Sequence, residues 1–259
     1  MLFDVENWMN DFVMKSALNV APELNNIQIF DLPLIGIASA NDPMFRRFKE
    51  PDGVGELHLS PEEWLQGSQT VISYFLPFTE EVRAANRTPG DPAIEWLFGR
   101  IEGQVFNNAL SRTLAEKLIK KGYKALVPAQ DPRFAIVNRR SNWSERHVAF
   151  VAGLGTISLN RSLITKRGSA GRIGSIVTSL QLQETPRYYE AFDENCNHCG
   201  ACIKRCPPQA IDATGKNHAV CELYLEETKQ RYQPRYGCGK CQTAVPCEKR
   251  IPDRIQSKK

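Results

Sequence analysis

Apolar residues at positions 2, 5, 8, 9, 12 and 13 of Leu2–Leu18 recur at helical spacing, so the chain opens on an amphipathic helix. Two short apolar runs follow, Leu34–Ala38 and Thr70–Leu76. Both are rich in β-branched or aromatic residues and predict buried strands. Between them lies a helix start: Ser60 can cap, Pro61 suits the first helical position and Glu63 occupies the capping-box site. Asp91-Pro92 opens a long helical stretch to about Lys121, with Ile94, Leu97, Phe98, Ile101, Val105, Ala109 and Leu110 on one side. Gly122 ends it, and Tyr123–Val127 reads as the next strand. Asn142 is placed to cap a helix through Val148 and Val151 to Gly153 and Gly155, after which Ser162–Thr165 and Ile173–Leu180 return to strand character. Strands alternating with helices predict a body with helices packed on a central sheet. Gln183–Glu194, with Pro186 and two tyrosines, reads as a linker.

Composition places few limits on this picture. The chain has 259 residues, 42% hydrophobic and 24% charged, enough to bury a core without disulfide staples. No apolar run approaches the roughly 20 residues that span a bilayer, and Asp4, Glu6 and Asp11 break any signal-peptide pattern. The expectation is a cytoplasmic protein with no membrane partner. Charge is uneven: residues 1–132 carry a net −6, residues 133–187 a net +7 and residues 188–259 a net +3. So basic a middle segment suits an anionic ligand, phosphate or nucleic acid, or is a solvated face.

The cysteines change the picture most. Residues 1–195 hold none, and all eight lie between 196 and 247. The run Cys196-x2-Cys199-x2-Cys202-x3-Cys206-Pro207 has the spacing of a bacterial ferredoxin. Three thiolates two residues apart can wrap three corners of a cubane, while the fourth points to another cluster. Paired C-x2-C units also make zinc sites, but the triple spacing closed by Cys-Pro favours iron and sulfur. Cys221, Cys238, Cys241 and Cys247 complete the eight thiols that two [4Fe-4S] clusters require, although their spacing departs from a repeated ferredoxin run. Crossed ligation assigns Cys196, Cys199, Cys202 and Cys247 to one cluster, and Cys206, Cys221, Cys238 and Cys241 to the other. His198 either tunes a cluster or is an exposed loop residue; His58, His147 and His218 show no ligand spacing.

The segment from Glu145-Arg146 through Ala152-Gly153-Leu154-Gly155-Thr156 to Leu163-Ile164-Thr165 is glycine-rich but lacks a full G-x-G-x-x-G, and a helix leads into the glycines, the reverse of a Rossmann turn. It reads either as a helix C-cap with a tight turn or as a close backbone approach to a bulky polar ligand. Together with Gly174–Leu180, Cys221 and Tyr236-Gly237-Cys238, it makes roughly residues 30–252 resemble the epoxyqueuosine reductase family and, more distantly, the corrinoid reductive dehalogenases.

The resemblance implies an α+β fold: a nitroreductase-like α/β sandwich body over residues 1–187, followed by a two-cluster ferredoxin-like module over 188–259. It implies cobalamin between the two, set against Gly153, Leu154, Gly155, Thr156, Ser158 and Asn160, and reduced through the clusters by a donor such as ferredoxin or flavodoxin. Three departures stand out. The family's aspartate proton donor is replaced by Arg139, which stays protonated and is expected to orient substrate charge. Thr156 replaces an aromatic residue, and Leu159 replaces a lysine. The chain also ends soon after Cys247, where many members continue into a tRNA-binding extension. The resulting expectation is a cobalamin-dependent iron–sulfur reductase of an unidentified small molecule, with tRNA not a partner. An electron carrier without its own substrate, and epoxyqueuosine reduction on tRNA, remain the alternatives.

Overall fold

The computed structural model describes residues 1–253. Its centre is a four-stranded antiparallel sheet of β1 (Leu34–Ser39), β2 (Thr70–Pro77), β3 (Ala125–Leu126) and β8 (Gly171–Thr178), ordered β1-β2-β8-β3. The numbers between belong to two hairpins, β4 (Ile136–Val137) with β5 (Arg140–Ser141) and β6 (Gly155–Ile157) with β7 (Leu163–Thr165). Strand β2 is buried at every residue and pairs with β8 along its whole length, from Gly171 opposite Pro77 to Thr178 opposite Thr70.

Alternation along the strands builds two cores, one on each face. Ile72, Tyr74, Leu76, Ile37 and Ile176 face α1 (Leu2–Lys15) and α2 (Ile94–Lys120), joining Val5, Met9, Phe106, Leu110 and Leu114. Val71, Ala38 and Val177 face α3 (Glu145–Val151), with Phe45, Phe48, Trp143 and Phe150. The mixed α/β body expected from the sequence is therefore present.

Three local expectations change. Helix α2 starts at Ile94 with Ala93 as its cap, because Asp91 instead accepts from Arg231 at 2.6 Å. Helix α3 is preceded by Ser144, not Asn142; the Asn142 side chain donates to the Arg133 carbonyl at 2.8 Å and accepts from the Ala135 N–H at 3.0 Å. Residues 183–194 are irregular but are docked on the body: the Thr185 N–H donates to the Ile37 carbonyl at 2.9 Å, and the Tyr189 hydroxyl donates to the Phe150 carbonyl at 2.9 Å. The capping box of Ser60 and Glu63 forms as expected, on the short helix Pro61–Trp64.

The cysteine-bearing segment contains α4 (Ala201–Lys204) and α5 (His218–Tyr232), the latter capped by Asn217, whose side chain accepts from the N–H groups of Ala219 and Val220. The expected module ends with residues 254–259, which lie outside the described residues. Two buried polar knots tie the segment to the body. Asn86 donates to the Cys238 carbonyl at 3.0 Å, and its own carbonyl accepts from Thr243, Lys240 and Arg205. Glu248 is held by Arg83 at 3.3 Å and Arg87 at 2.5 Å. Among the described residues no helix is long and apolar enough to cross a membrane.

Candidate functional site

A cavity of about 570 Å³ lies between the sheet and the cysteine-bearing segment. One wall comes from the body: Tyr74 of β2, Arg100, Asn107 and Ser111 of α2, Glu145 and Arg146 of α3, and Arg172, Gly174 and Ser175 of β8. The opposite wall holds Cys206, Cys221, Cys238 and Cys241, with Pro207, Pro208 and Tyr224. A second, small void is lined by Cys196, Cys199, Cys202 and Cys247. The eight thiols are thus gathered as the two fours that crossed ligation assigns. Among the described residues no three His, Cys, Asp or Glu side chains converge on a point fit for a single ion; the fours ring voids instead. Burial pushes the thiols of Cys238, Cys241 and Cys247 well up, so a bound cationic iron core is needed to hold them as thiolates. The donor set fits two iron–sulfur clusters.

The chain brings its thiols together locally. Cys202 sits on α4 and Cys206 lies just beyond it, while Cys221 stands in the first turn of α5. Cys247 reaches the first four because its backbone is tied to the body, its carbonyl accepting from the Ser169 N–H at 2.9 Å. His198 is exposed and pairs with Asp193 at 3.0 Å, the loop-residue reading of the sequence.

The glycine-rich segment packs mainly against the chain itself. Of its six candidate residues only Asn160 lines the large cavity. Gly153 turns the chain at φ +76° against Thr185 and Pro186. A Cβ on Gly155 would lie 2.1 Å from the Ile164 carbonyl oxygen, so this glycine permits the close β6–β7 pairing. Leu154 packs with Ala149 and Leu163. Thr156 is fully buried, and its hydroxyl accepts from the Asn195 N–H at 2.8 Å. Ser158 faces the smaller void and donates to Asn160 at 2.5 Å, while the Asn160 amide reaches the Cys241 carbonyl. The helix-end and tight-turn reading of these glycines is the one the geometry follows, and it makes the hairpin a bracket for the cysteine segment.

Arg139 lies on a turn outside the cavity wall. Asn138 and Arg139 are the two left-handed residues of the β4–β5 turn, at φ +51° and +64°. The Arg139 side chain is exposed, donates to Glu222 of α5 at 2.6 Å and is not part of the cavity wall. A basic rim gathers beside it: Arg139, Arg146, Arg161 and Lys216 all act on His218, at the start of α5.

The cavity wall itself was only partly visible in the sequence. Glu145 carried the family resemblance but received no role. Its Oε2 is sealed from solvent with no hydrogen-bond partner among the described residues, and burial pushes the carboxyl up to about 7, with the Ser175 hydroxyl opposing. Tyr74 is fully buried and donates to Asn107 Oδ1 at 2.7 Å; burial raises its pKa far above the ordinary phenol range. Gly174 makes room for that tyrosine, since a Cβ there would sit 2.3 Å from its hydroxyl. The unpartnered Nε atoms of Arg100 and Arg172 belong to residues that line the same space. Unsatisfied polar groups gathered on the body wall of a roomy cavity suit a large polar ligand, and a corrinoid is of that kind.

No family model matches the chain. The epoxyqueuosine reductase of Listeria monocytogenes serovar 1/2a is 26% identical over 215 residues, covering 78% of this chain and 54% of that protein. The chain spans about half the length of the curated relatives it matches. A solved epoxyqueuosine reductase with an epoxyqueuosine-modified tRNA stem loop superposes with a TM-score of 0.53 at 17% identity, over 96% of this chain and 66% of that one. A reductive dehalogenase whose structure suggests a B12-dependent mechanism gives 0.54 at 17% identity, over 74% and 27%. The resemblance read from the sequence therefore holds, in sequence and in fold. One expectation falls: tRNA was excluded as a partner, yet a structural relative matching almost the whole chain is a complex with a tRNA stem loop. Neither Arg139 nor the length of the chain argues against tRNA.

Proposed function

We propose that this chain carries the catalytic centre of an iron–sulfur, corrinoid-dependent reductase that removes the epoxide oxygen of an epoxyqueuosine-type nucleoside presented on tRNA. The observation that carries this reading is the 570 Å³ cavity, with a cysteine quartet on one wall and a buried carboxyl on the other. An electron carrier would have no use for such a space. The names of the curated relatives favour epoxyqueuosine over an unidentified small molecule.

On this reading residues 188–259 act as a ferredoxin-like module on a nitroreductase-like body. Cys196, Cys199, Cys202 and Cys247 hold the outer cluster, where exposed Cys199 would meet a donor such as ferredoxin or flavodoxin. Cys206, Cys221, Cys238 and Cys241 hold the inner one, against the cavity. Arg100, Arg146, Arg172 and Asn160 would hold cobalamin or the substrate in the cavity. When bound, the corrinoid and the clusters supply low-potential electrons to that space.

The protein must supply the rest. Loss of an epoxide oxygen as water consumes two electrons and two protons, so a wall group has to donate a proton. Glu145 is suited to that: a carboxyl titrating near 7 is half protonated at neutral pH, and its Oε2 has no competing partner. Tyr74 is committed to Asn107 and holds its proton too tightly. The basic rim of Arg139, Arg146, Arg161 and Lys216 would meet tRNA phosphates and so position the nucleoside. Such a reaction belongs where tRNA is, in the cytoplasm.

The test is anaerobic reconstitution with iron, sulfide and cobalamin, then single turnover on an epoxyqueuosine-modified stem loop under a low-potential reductant. The expected product has lost one oxygen by mass. Absence of corrinoid binding, with both clusters in place, would overturn the reading.

A further inference from the structure

Four arginines line the cavity, and among the described residues none of them forms an ion pair with a carboxylate. Glu145 is the one carboxylate in the described wall, and its raised pKa leaves it a weak counter-charge. The arginines fall into two pairs. Arg146 donates to the Arg161 carbonyl at the basic rim. The second pair bridges α2 and β8: Arg172 Nη2 donates to the Arg100 carbonyl, and the Arg100 guanidinium stacks on Tyr236 at 4.4 Å.

This second pair is built for a ligand the chain does not supply. Both Nε atoms are buried, and among the described residues neither has a partner. The neighbouring Arg235 gives no relief, since it is another cation already bound to Glu102 at 2.8 Å. Nor do the quartet thiols, on which the acting cations are Lys216 and Lys240. Burial first, and the Arg100 charge second, push the Arg172 guanidinium down to about 10. Two uncompensated guanidinium groups side by side in a protein wall are costly until a counter-charge arrives. Their planar donor forks match oxyanions.

We propose that Arg100 and Arg172 form an anion-binding subsite that takes a phosphate or carboxylate group of a ligand held in the cavity. The anion has two sources, the phosphate of a corrinoid nucleotide tail or an acidic group on the substrate. The subsite stands on the cavity alone and does not need the reductase reading to be correct.

The probe is inorganic phosphate, titrated into anaerobically purified, cluster-loaded protein against chloride at constant ionic strength, with the thermal midpoint as readout. A saturable rise is expected for the wild type, weakened about tenfold or more in Arg172→Leu and in Arg100→Met, as for loss of a charged hydrogen bond. Arg172→Lys should keep part of the response. A wild-type response no larger than that to chloride, or an unchanged response in both variants, overturns the proposal. Repeating the titration with cobalamin and with cobinamide, which lacks the phosphate, identifies the source. If cobalamin alone abolishes the phosphate response, the corrinoid tail fills the subsite. If the response persists with cobalamin bound, the subsite serves the substrate. Either result upholds the subsite, and none of these readouts requires turnover.

Discussion

Asn86 donates its side-chain amide to the backbone carbonyl of Cys238 at 3.0 Å, joining the body directly to a thiol-bearing loop. The same residue is fully buried and accepts from Thr243, Lys240 and Arg205 through its carbonyl. Its side-chain oxygen also accepts from the Ala93 N–H at 3.0 Å, the cap of α2. One side chain thus fixes the start of the longest helix and the position of the inner quartet. Asn86→Leu leaves the Cys238 carbonyl and the Ala93 N–H without that partner, at about 1–3 kcal/mol for each buried group. The expected result is a lowered thermal midpoint, with preferential loss of the inner cluster in iron analysis and in spectra.

Glu145 predicts a pH dependence with a definite sign. The carboxyl binds its proton more tightly folded than unfolded, its pKa rising from 4.5 to about 7. As an acid it is lost as pH rises through about 7, so single-turnover rates should fall on that limb. Glu145→Gln should remove the limb and slow turnover by about a hundredfold or more. The same shift makes this group's contribution to stability decline from pH 4.5 to 7 as pH rises, because the folded state binds the extra proton. Glu145→Gln should therefore be relatively more stable at pH 8 than at pH 5 when compared with wild type.

How much of this was legible in the sequence follows from the range of the interactions. The strands Leu34–Ser39 and Thr70–Pro77 and the helix Ile94–Lys120 announce themselves because apolar runs and helical periodicity are local, although the start of that helix shifts where Asp91 turns to Arg231. The run of Cys196, Cys199, Cys202 and Cys206 was legible because its spacing is local, whereas Cys221, Cys238, Cys241 and Cys247 come beside it only through the fold. The cavity wall was not: Arg100, Glu145 and Arg172 meet only through tertiary packing of α2, α3 and β8. The glycines left two readings open for a related reason. Close pairing of two strands and close approach of a ligand both require a missing Cβ, and only the fold shows that Ile164 is what approaches Gly155. Arg139 stands where the family resemblance puts an aspartate, and that resemblance says nothing of a turn that carries it to Glu222.

One buried and one partly buried histidine, His58 and His147, set an acid limit. Burial pushes His147 down to about 3 and His58 to about 4, from 6.5. His147 Nδ1 lies 2.7 Å from the Ser144 hydroxyl, and His58 Nε2 accepts from the Ser144 N–H, so both rings brace the start of α3. A depressed pKa gives stability that is present above about 6.5 and is lost as pH falls toward the folded value. Thermal midpoints should drop steadily between pH 6.5 and 4, and His147→Phe should flatten part of that drop.

The two quartets should be separable by substitution. Cys199→Ser touches only the outer void and Cys221→Ser only the inner wall. Each variant should fall from about eight iron atoms per chain to about four. Corrinoid binding should survive the outer change and weaken with the inner one. Equal loss of both clusters in both variants would mean that the fours are not independent ligand sets.

The Arg139–Glu222 pair separates stability from recognition. Both side chains are more than half exposed, so the 2.6 Å ion pair contributes at most about 1 kcal/mol and is screened by salt. Arg139→Ala should leave the thermal midpoint and both clusters nearly unchanged. If the rim of Arg139, Arg146, Arg161 and Lys216 meets tRNA phosphates, the effect appears in binding instead. The slope of log affinity against log salt should shrink by about one for a modified stem loop. Glu222→Gln frees Arg139 from its partner and should shift affinity in the opposite direction. An Arg139→Ala variant that binds the stem loop with unchanged affinity and salt slope would remove this hairpin from the tRNA interface, and the phosphate contacts would then rest on Arg146, Arg161 and Lys216.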